Sequence, residues 1–260
     1  MSTIIPLPAF TDNYVWAIRE GGLAAVVDPG DAAPVRAWLA RERVELCAIL
    51  VTHHHRDHTG GIAELVRDRA VPVIGPAREA IPDRTRGVGQ GDRFEIPGIA
   101  LPVEVLDIPG HTAGHVAFVG SDPAWGEPVV FCGDTLFAAG CGRLFEGTPG
   151  EMWTSLSALA ALPGGTRVYC GHEYTIANLR FAAAVEPGRS EIAARTAREQ
   201  AARDRGLPTL PTTIALERET NPFLRATEAG VRAIAEAHAG RALGDAVAVF
   251  AALREWKNVF

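Results

Sequence analysis

Ten consecutive residues, Thr52 to Gly61, read T-H-H-H-R-D-H-T-G-G and follow directly on the apolar run Ala48-Ile49-Leu50-Val51. An apolar run that breaks abruptly into polar residues reads as a buried strand opening into a loop, where functional side chains sit on rigid support. His53, His55, Asp57 and His58 fall within six positions, a density that points to metal binding. The competing reading, a polar loop with a chance cluster, is disfavoured because four of the chain's eight histidines occupy this one stretch. Side chains alternate sides along an extended chain, so His53 and His55 are expected to face one way and His54 the other, away from the metal. Asp57 and His58 come after the strand geometry has ended, and Gly60-Gly61 permit a tight turn into Ile62 to Arg69, whose periodicity predicts a helix. That geometry lets Asp57 and His58 approach a second ion.

Four ligands do not complete a two-metal site, and three further β-rich runs end on glycine and a possible ligand. Val103 to Ile108 runs into Pro109-Gly110-His111-Thr112, Val129 to Cys132 into Gly133-Asp134-Thr135, and Arg167 to Cys170 into Gly171-His172-Glu173. Such repeats are expected where loops converge on one edge of a sheet. His115 opens the run Val116-Ala117-Phe118-Val119 and reads as a structural histidine, and His238 lies in an Ala-rich helical stretch as a surface residue.

This order, an aspartate, then H-x-H-x-D-H, then His, Asp and His, resembles the metallo-β-lactamase fold hydrolases, with Asp28, the 53–58 cluster, His111, Asp134 and His172 in the matching places. The resemblance implies an α/β fold, a four-layer αββα sandwich with two metals at its edge. His53, His55 and His111 would then hold the first ion, Asp57, His58 and His172 the second, and Asp134 would bridge them. Imidazole and carboxylate donors without thiolate suit zinc, iron or manganese, with zinc the expected pair. Asp28 reads either as a residue orienting a ligand by hydrogen bond or as a plain turn aspartate.

Composition narrows the context. At 260 residues and 47% hydrophobic content, the chain forms one large domain or a larger and a smaller one with ample core material. A net charge of −6 and the lack of any dense Lys/Arg run exclude a nucleic-acid surface. Cys47, Cys132, Cys141 and Cys170 are scattered without a C-x-x-C pair, which argues against disulfides and a zinc knuckle. With no basic leader and no apolar stretch of the roughly 20 residues a bilayer requires, the expectation is a cytoplasmic protein without membrane contact. Texture changes near Tyr174: residues 1–174 read as the strand-rich catalytic domain, and residues 175–260 as a helical domain, with Glu191 to Arg205 and Thr227 to Ala239 rich in Ala, Arg and Glu. Gly206 to Pro211 reads as a loop, and Thr212 or Thr213 as the cap of a short helix through Glu219. Gly87-Val88-Gly89-Gln90-Gly91-Asp92 precedes a β-like run, so a hairpin turn is expected there in place of a phosphate loop.

Four further segments resemble the glyoxalase II, or hydroxyacylglutathione hydrolase, family: Cys141-Gly-Arg-Leu-Phe-Glu-Gly-Thr148, Tyr169-Cys-Gly-His-Glu-Tyr-Thr175, Glu219-Thr-Asn-Pro-Phe-Leu-Arg225 and Arg254-Glu-Trp-Lys257. The resemblance runs nearly end to end and implies a glutathione-binding helical domain, with Arg143, Tyr174, Asn178, Arg254 and Lys257 at the contact positions. Cations and a tyrosine hydroxyl suit a ligand with two carboxylates and peptide groups. Arg254 and Lys257, the latter the only lysine, share a helix face at three-residue spacing. Phe145 departs from the pattern, since some relatives carry tyrosine there. The implied activity is hydrolysis of S-(2-hydroxyacyl)glutathione, S-D-lactoylglutathione giving D-lactate and glutathione, in methylglyoxal detoxification. It would use a water ionised between the two metals and oriented by Asp57 and Asp134. A monomer acting on a small glutathione thioester is expected. Two alternatives stand beside it: a glutathione persulfide dioxygenase with one iron on His53, His111 and Asp134, and a non-enzymatic binding protein stapled by its metals.

Overall fold

A computed structural model of the chain describes residues 2–260. Two six-stranded sheets pack face to face. The first runs in chain order, β1 (Ser2–Ala9), β2 (Asn13–Glu20), β3 (Leu23–Val27), β4 (Glu45–Leu50), β5 (Val73–Pro76) and β6 (Arg86–Val88). Its first three strands are antiparallel and β3 to β6 are parallel. Parallel neighbours need crossovers, which here carry α1 (Ala32–Glu42), α2 (Arg56–Thr59) and α3 (Ile62–Val66). The second sheet contains β7 (Arg93–Glu95), β8 (Pro102–Asp107), β9 (Val116–Gly120), β10 (Val129–Gly133), β13 (Arg167–Cys170) and β14 (Thr212–Thr213). A small ribbon, β11 (Leu136–Phe137) with β12 (Gly140–Cys141), hangs from β10.

Alternation along the strands decides which face each residue covers. In β2, Trp16 and Ile18 enter the core between the sheets, while Val15 and Ala17 join the cluster under α1 and α3; Leu50 and Ile49 of β4 divide the same way. Outside the second sheet, α4 (Pro149–Ala160) sinks Met152, Leu156 and Leu159 into the larger core. Its start is fixed by a capping box, Thr148 accepting from the Glu151 backbone N–H while Glu151 accepts from that of Thr148, with proline in the first turn. The helices α5 (Thr175–Val185), α6 (Ser190–Asp204), α7 (Ile214–Thr220), α8 (Ala229–Ala239) and α9 (Ala246–Val259) complete the chain. The result is the αββα sandwich with a helical C-terminal region.

Three local expectations change. The Gly87–Asp92 segment is no hairpin: β6 pairs with β5 in one sheet and β7 with β8 in the other, so the glycines carry the chain between sheets. The helix after Gly61 ends at Val66 instead of Arg69. Within the helical region, Thr212–Thr213 pairs with β13 as an edge strand, and Thr213 also caps α7 by accepting from the Leu216 N–H. That region also holds a buried ion pair, Arg195 Nη2 to Glu217 Oε1 at 2.6 Å, and Glu217 accepts from the Ala139 N–H at 2.7 Å.

Candidate metal centre

Strands β4, β8, β10 and β13 all end at one edge of the sandwich, and there backbone hydrogen bonds stitch the sheets together. Val116 N–H donates to Thr52 O at 3.0 Å and Tyr14 N–H to Gly171 O at 2.8 Å. Because the loops that carry them leave from these stitched ends, His53, His55, Asp57, His58, His111, Asp134 and His172 meet in one cluster. The donor atoms of His53, His55 and His111 lie within 4.8 Å of one another, as do those of Asp57, His58 and His172. Asp134 stands between the two groups, with Oδ2 3.5 Å from His111 Nε2 and 3.2 Å from His172 Nε2, and Oδ1 3.4 Å from His58 Nε2.

Those spacings lie at or beyond the long end of the hydrogen-bond range. They match donors sharing an ion: ligands 2.0–2.1 Å from a tetrahedral zinc stand roughly 3.3–3.4 Å apart. Buried His53 Nε2, His58 Nε2 and Asp134 Oδ1 have no hydrogen-bond partner, a state that burial penalises and a cation relieves. The opposite ring nitrogens are engaged. His58 Nδ1 donates to Asp28 Oδ2 at 3.1 Å, His111 Nδ1 to Arg143 O at 2.8 Å and His172 Nδ1 to Asp12 Oδ1 at 2.8 Å. Thr52 Oγ1 gives its proton to Asp28 and so accepts from His53 Nδ1 at 3.0 Å. This chain of acceptors holds the Nδ1 protons and turns each Nε2 inward toward the cluster. His55 presents Nδ1 instead, 3.0 Å from His111 Nε2. The residues fit a pair of divalent cations.

Electrostatics divide the cluster. Burial holds the His53 imidazole well below its ordinary pKa and lowers those of His55 and His111, favouring neutral ligands. Burial acts the same way on His172, but Asp134 and Asp57 outweigh it and push His172 up to about 10. Burial would raise the Asp134 carboxyl, yet His58 and His172 pull it well below the carboxylate range. His172, with Nε2 3.4 Å from Asp57 Oδ2, lowers Asp57, and His58 and Asn13 add to it against burial. Close approach is also steric: a Cβ on Gly171 would lie 2.5 Å from Asp134 Oδ1 and 2.6 Å from His58 Cε1.

His54 turns away to Glu79, and His115 stacks on His53 with ring centroids 4.5 Å apart while its Nε2 accepts from the Asp134 N–H. Sequence reasoning missed Asp12, Asn13, Thr52 and Glu79. Asn13 Nδ2 donates to Asp57 Oδ2 at 3.1 Å. Asp12 lies 160 positions from His172, and no spacing signal reports such a meeting.

A cavity of about 750 Å³ opens over His55, Asp57 and Asp134, and Arg143, Tyr174, Asn178, Arg254 and Lys257 all line it. Tyr174 stacks on His172 at 4.7 Å, and burial, then Asp12, Asp134 and Asp57, raise its pKa and keep the hydroxyl protonated. Asn178 Nδ2 donates to Ala138 O at 3.0 Å and Arg254 Nη1 to Cys141 O at 2.8 Å, so both also hold the β11–β12 ribbon. Lys257 Nζ donates to Ala177 O at 3.2 Å. Its pKa is lowered by burial and by Arg254 and Arg143, which marks a cluster of cations short of anions. Phe145, 63% exposed, lays its ring 5.5 Å from that of His55 and 5.3 Å from that of His111. Phe137, Asn258 and Phe260 also line the cavity and were not singled out from the sequence.

Comparisons with known proteins agree with this geometry. Residues 9–172 match the metallo-beta-lactamase superfamily and residues 173–260 the hydroxyacylglutathione hydrolase C-terminus. The chain is 55% identical over 267 residues to a hydroxyacylglutathione hydrolase of Cupriavidus metallidurans, covering all of both chains. It is 52% identical over 260 residues to that of Methylobacillus flagellatus, again covering both fully. Among solved structures it resembles TTHA1623 in a di-iron-bound form, with a TM-score of 0.58 and 28% identity over 85% of this chain and 99% of that one. ETHE1 from Myxococcus xanthus shares the fold, with a TM-score of 0.64 at 23% identity over 100% of this chain and 99% of that one.

Proposed function

The chain belongs to the hydroxyacylglutathione hydrolase family, and from that premise we infer that it hydrolyses S-(2-hydroxyacyl)glutathione thioesters, with S-D-lactoylglutathione as substrate and D-lactate and glutathione as products. The observation that carries the reading is the continuity of one cavity from the His/Asp cluster to Arg143, Arg254 and Lys257. Bound by His53, His55 and His111 on one side, by Asp57, His58 and His172 on the other, and by Asp134 between them, two divalent cations would supply a water of lowered pKa and an electrophile for the carbonyl oxygen. Asp57 and Asp134, held as carboxylates, accept hydrogen bonds from the attacking water and aim it at the thioester carbon. The new C–O bond replaces the C–S bond, and the sulfur leaves as thiolate. With a thiol pKa near 8.5 it needs no strong general acid.

The three cations suit the two glutathione carboxylates, whose negative charge opposes the burial and the Arg254 and Arg143 repulsion that lower Lys257. Tyr174 keeps its proton and is available as a donor to the peptide groups. Zinc is the proposed pair of ions, on nitrogen and oxygen donors without thiolate. The reading includes a monomer working in the cytoplasm. Among the described residues no helix is long and apolar enough to cross a membrane. Purified protein given S-D-lactoylglutathione is expected to release free thiol at a rate that tracks its metal content. Oxygen uptake on glutathione persulfide without thioester cleavage would move the assignment to a dioxygenase. Metal analysis and size-exclusion chromatography test the ions and the monomer.

A further inference from the structure

Glu79 belongs to none of the motifs and donates nothing to the metal cluster, yet it is 93% withdrawn from solvent, with 7% exposure, between the two loops that carry His53, His55 and His111. A buried carboxylate needs several donors. Glu79 has four: Oε2 accepts from the His54 N–H at 2.5 Å and from His54 Nδ1 at 3.0 Å, and Oε1 accepts from Gly114 N–H at 3.0 Å and from the Thr112 hydroxyl. One oxygen thus holds the first loop and the other the second. The His54 ring continues the tie, with Nε2 3.3 Å from Glu146 Oε1, and Glu146 Oε2 accepts from the Ala113 N–H at 2.8 Å. The fit is close: a Cβ on Gly114 would lie 2.5 Å from Glu79 Cγ. The loop bearing Glu79 is itself pinned, since Arg84 Nη1 donates to Glu79 O at 2.6 Å.

We propose that Glu79 is a positioning residue that clamps the His53–His55 loop to the His111 loop and so sets the affinity of the first metal position alone. The inference rests on the two-metal reading above. Every hydrogen bond to the Glu79 carboxylate comes from the two loops of the His53/His55/His111 group, from His54, Thr112 and Gly114, and none comes from a neighbour of Asp57 or His172. Its loss lets the two loops drift apart while the second group keeps its own supports, Asp28 under His58 and Asp12 under His172.

The test titrates metal-free protein with Zn²⁺ against a chromophoric chelator. Wild-type protein is expected to take up two ions. Glu79→Ala is expected to weaken one of them about 10- to 100-fold, the usual consequence of losing a group that orients a ligand, and to leave the other within about threefold. Glu79→Gln, which keeps an acceptor for only part of the set, is expected to fall between. Should Glu79→Ala fail to fold, Thr112→Val removes one donor at constant volume and Gly114→Ala displaces the carboxylate; both are expected to weaken the same ion. Unchanged affinities, or an equal loss at both positions, would overturn the proposal. Wild-type protein that bound no pair of ions would instead overturn the two-metal reading itself.

Discussion

At the residue scale, what distinguishes this site is that its polar groups are placed by other polar groups. Each histidine of the cluster but His55 has its outer nitrogen fixed by an acceptor, from Thr52, Asp28, Arg143 or Asp12, which keeps its Nε2 turned toward the others. Phenols around the site follow the same logic. Tyr14 is pushed up to about 12 by burial and by Glu173, to which its hydroxyl donates, and Tyr169 and Tyr174 are raised chiefly by burial. These are the chain's three tyrosines. A folded pKa above the unfolded value of about 10 contributes stability that is complete below pH 10 and is lost as pH climbs toward 12. An ultraviolet titration is therefore expected to show little tyrosinate at pH 10.5 in folded protein and ordinary ionisation in urea. Ionisation of the native protein centred on pH 10 would contradict these environments.

At the element scale, α9 and the loop after β12 bring the cation cluster to the cavity, Arg254 and Lys257 on the helix and Arg143 on the loop, and the two cations of α9 differ. Arg254 is buried, donates to Cys141 O and lies 5.2 Å from the Phe223 ring, whereas Lys257 is half-buried beside Ala177 O. Lys257→Ala is expected to raise KM several-fold with kcat and melting temperature nearly unchanged, because its interaction with substrate persists unaltered into the transition state. Arg254→Ala is expected to raise KM and also to lower the melting temperature, through the freed carbonyl and lost packing. An unchanged KM for both would remove them from the binding site. Farther along, Glu217 joins α6, α7 and the β11–β12 ribbon through Arg195 and the Ala139 N–H. Glu217→Ala leaves a buried guanidinium without its charge partner and is expected to destabilise the fold by about 3–5 kcal/mol in a denaturant melt. A loss below 1 kcal/mol would mean that water reaches Arg195.

At the scale of the whole molecule, the cluster is held together by loops whose buried donors face one another, so metal occupancy and stability are linked. Cations at about a thousand times their dissociation constant stabilise a folded protein by about 4 kcal/mol. In a chain of this size that corresponds to a melting temperature roughly 10 °C lower after chelation, recovered on adding zinc. Identical melting curves with and without chelator would argue against the linkage. Much of this architecture was legible beforehand. Apolar runs marked β4, β8, β10 and β13, the first passing straight into the histidine cluster and the other three ending on glycine and a possible ligand, because strand burial and loop chemistry are local properties of the chain. The grouping of the metal-binding candidates and the α9 pair came from the family resemblance, with spacing adding only that Arg254 and Lys257 share a helix face. The expected hairpin at Gly87–Asp92 failed because local turn chemistry does not say whether two neighbouring strands pair with each other or with different sheets. What the polypeptide determined by itself was the inventory: which donors exist, which strands present them, and the helical texture that follows. Packing alone decided that Asp12 meets His172 across 160 positions, that Asn13 meets Asp57, and that Glu79 lies between two loops. Such contacts depend on how two separately formed sheets close against each other, and that information is spread over the whole core, with no part of it in any single stretch of sequence.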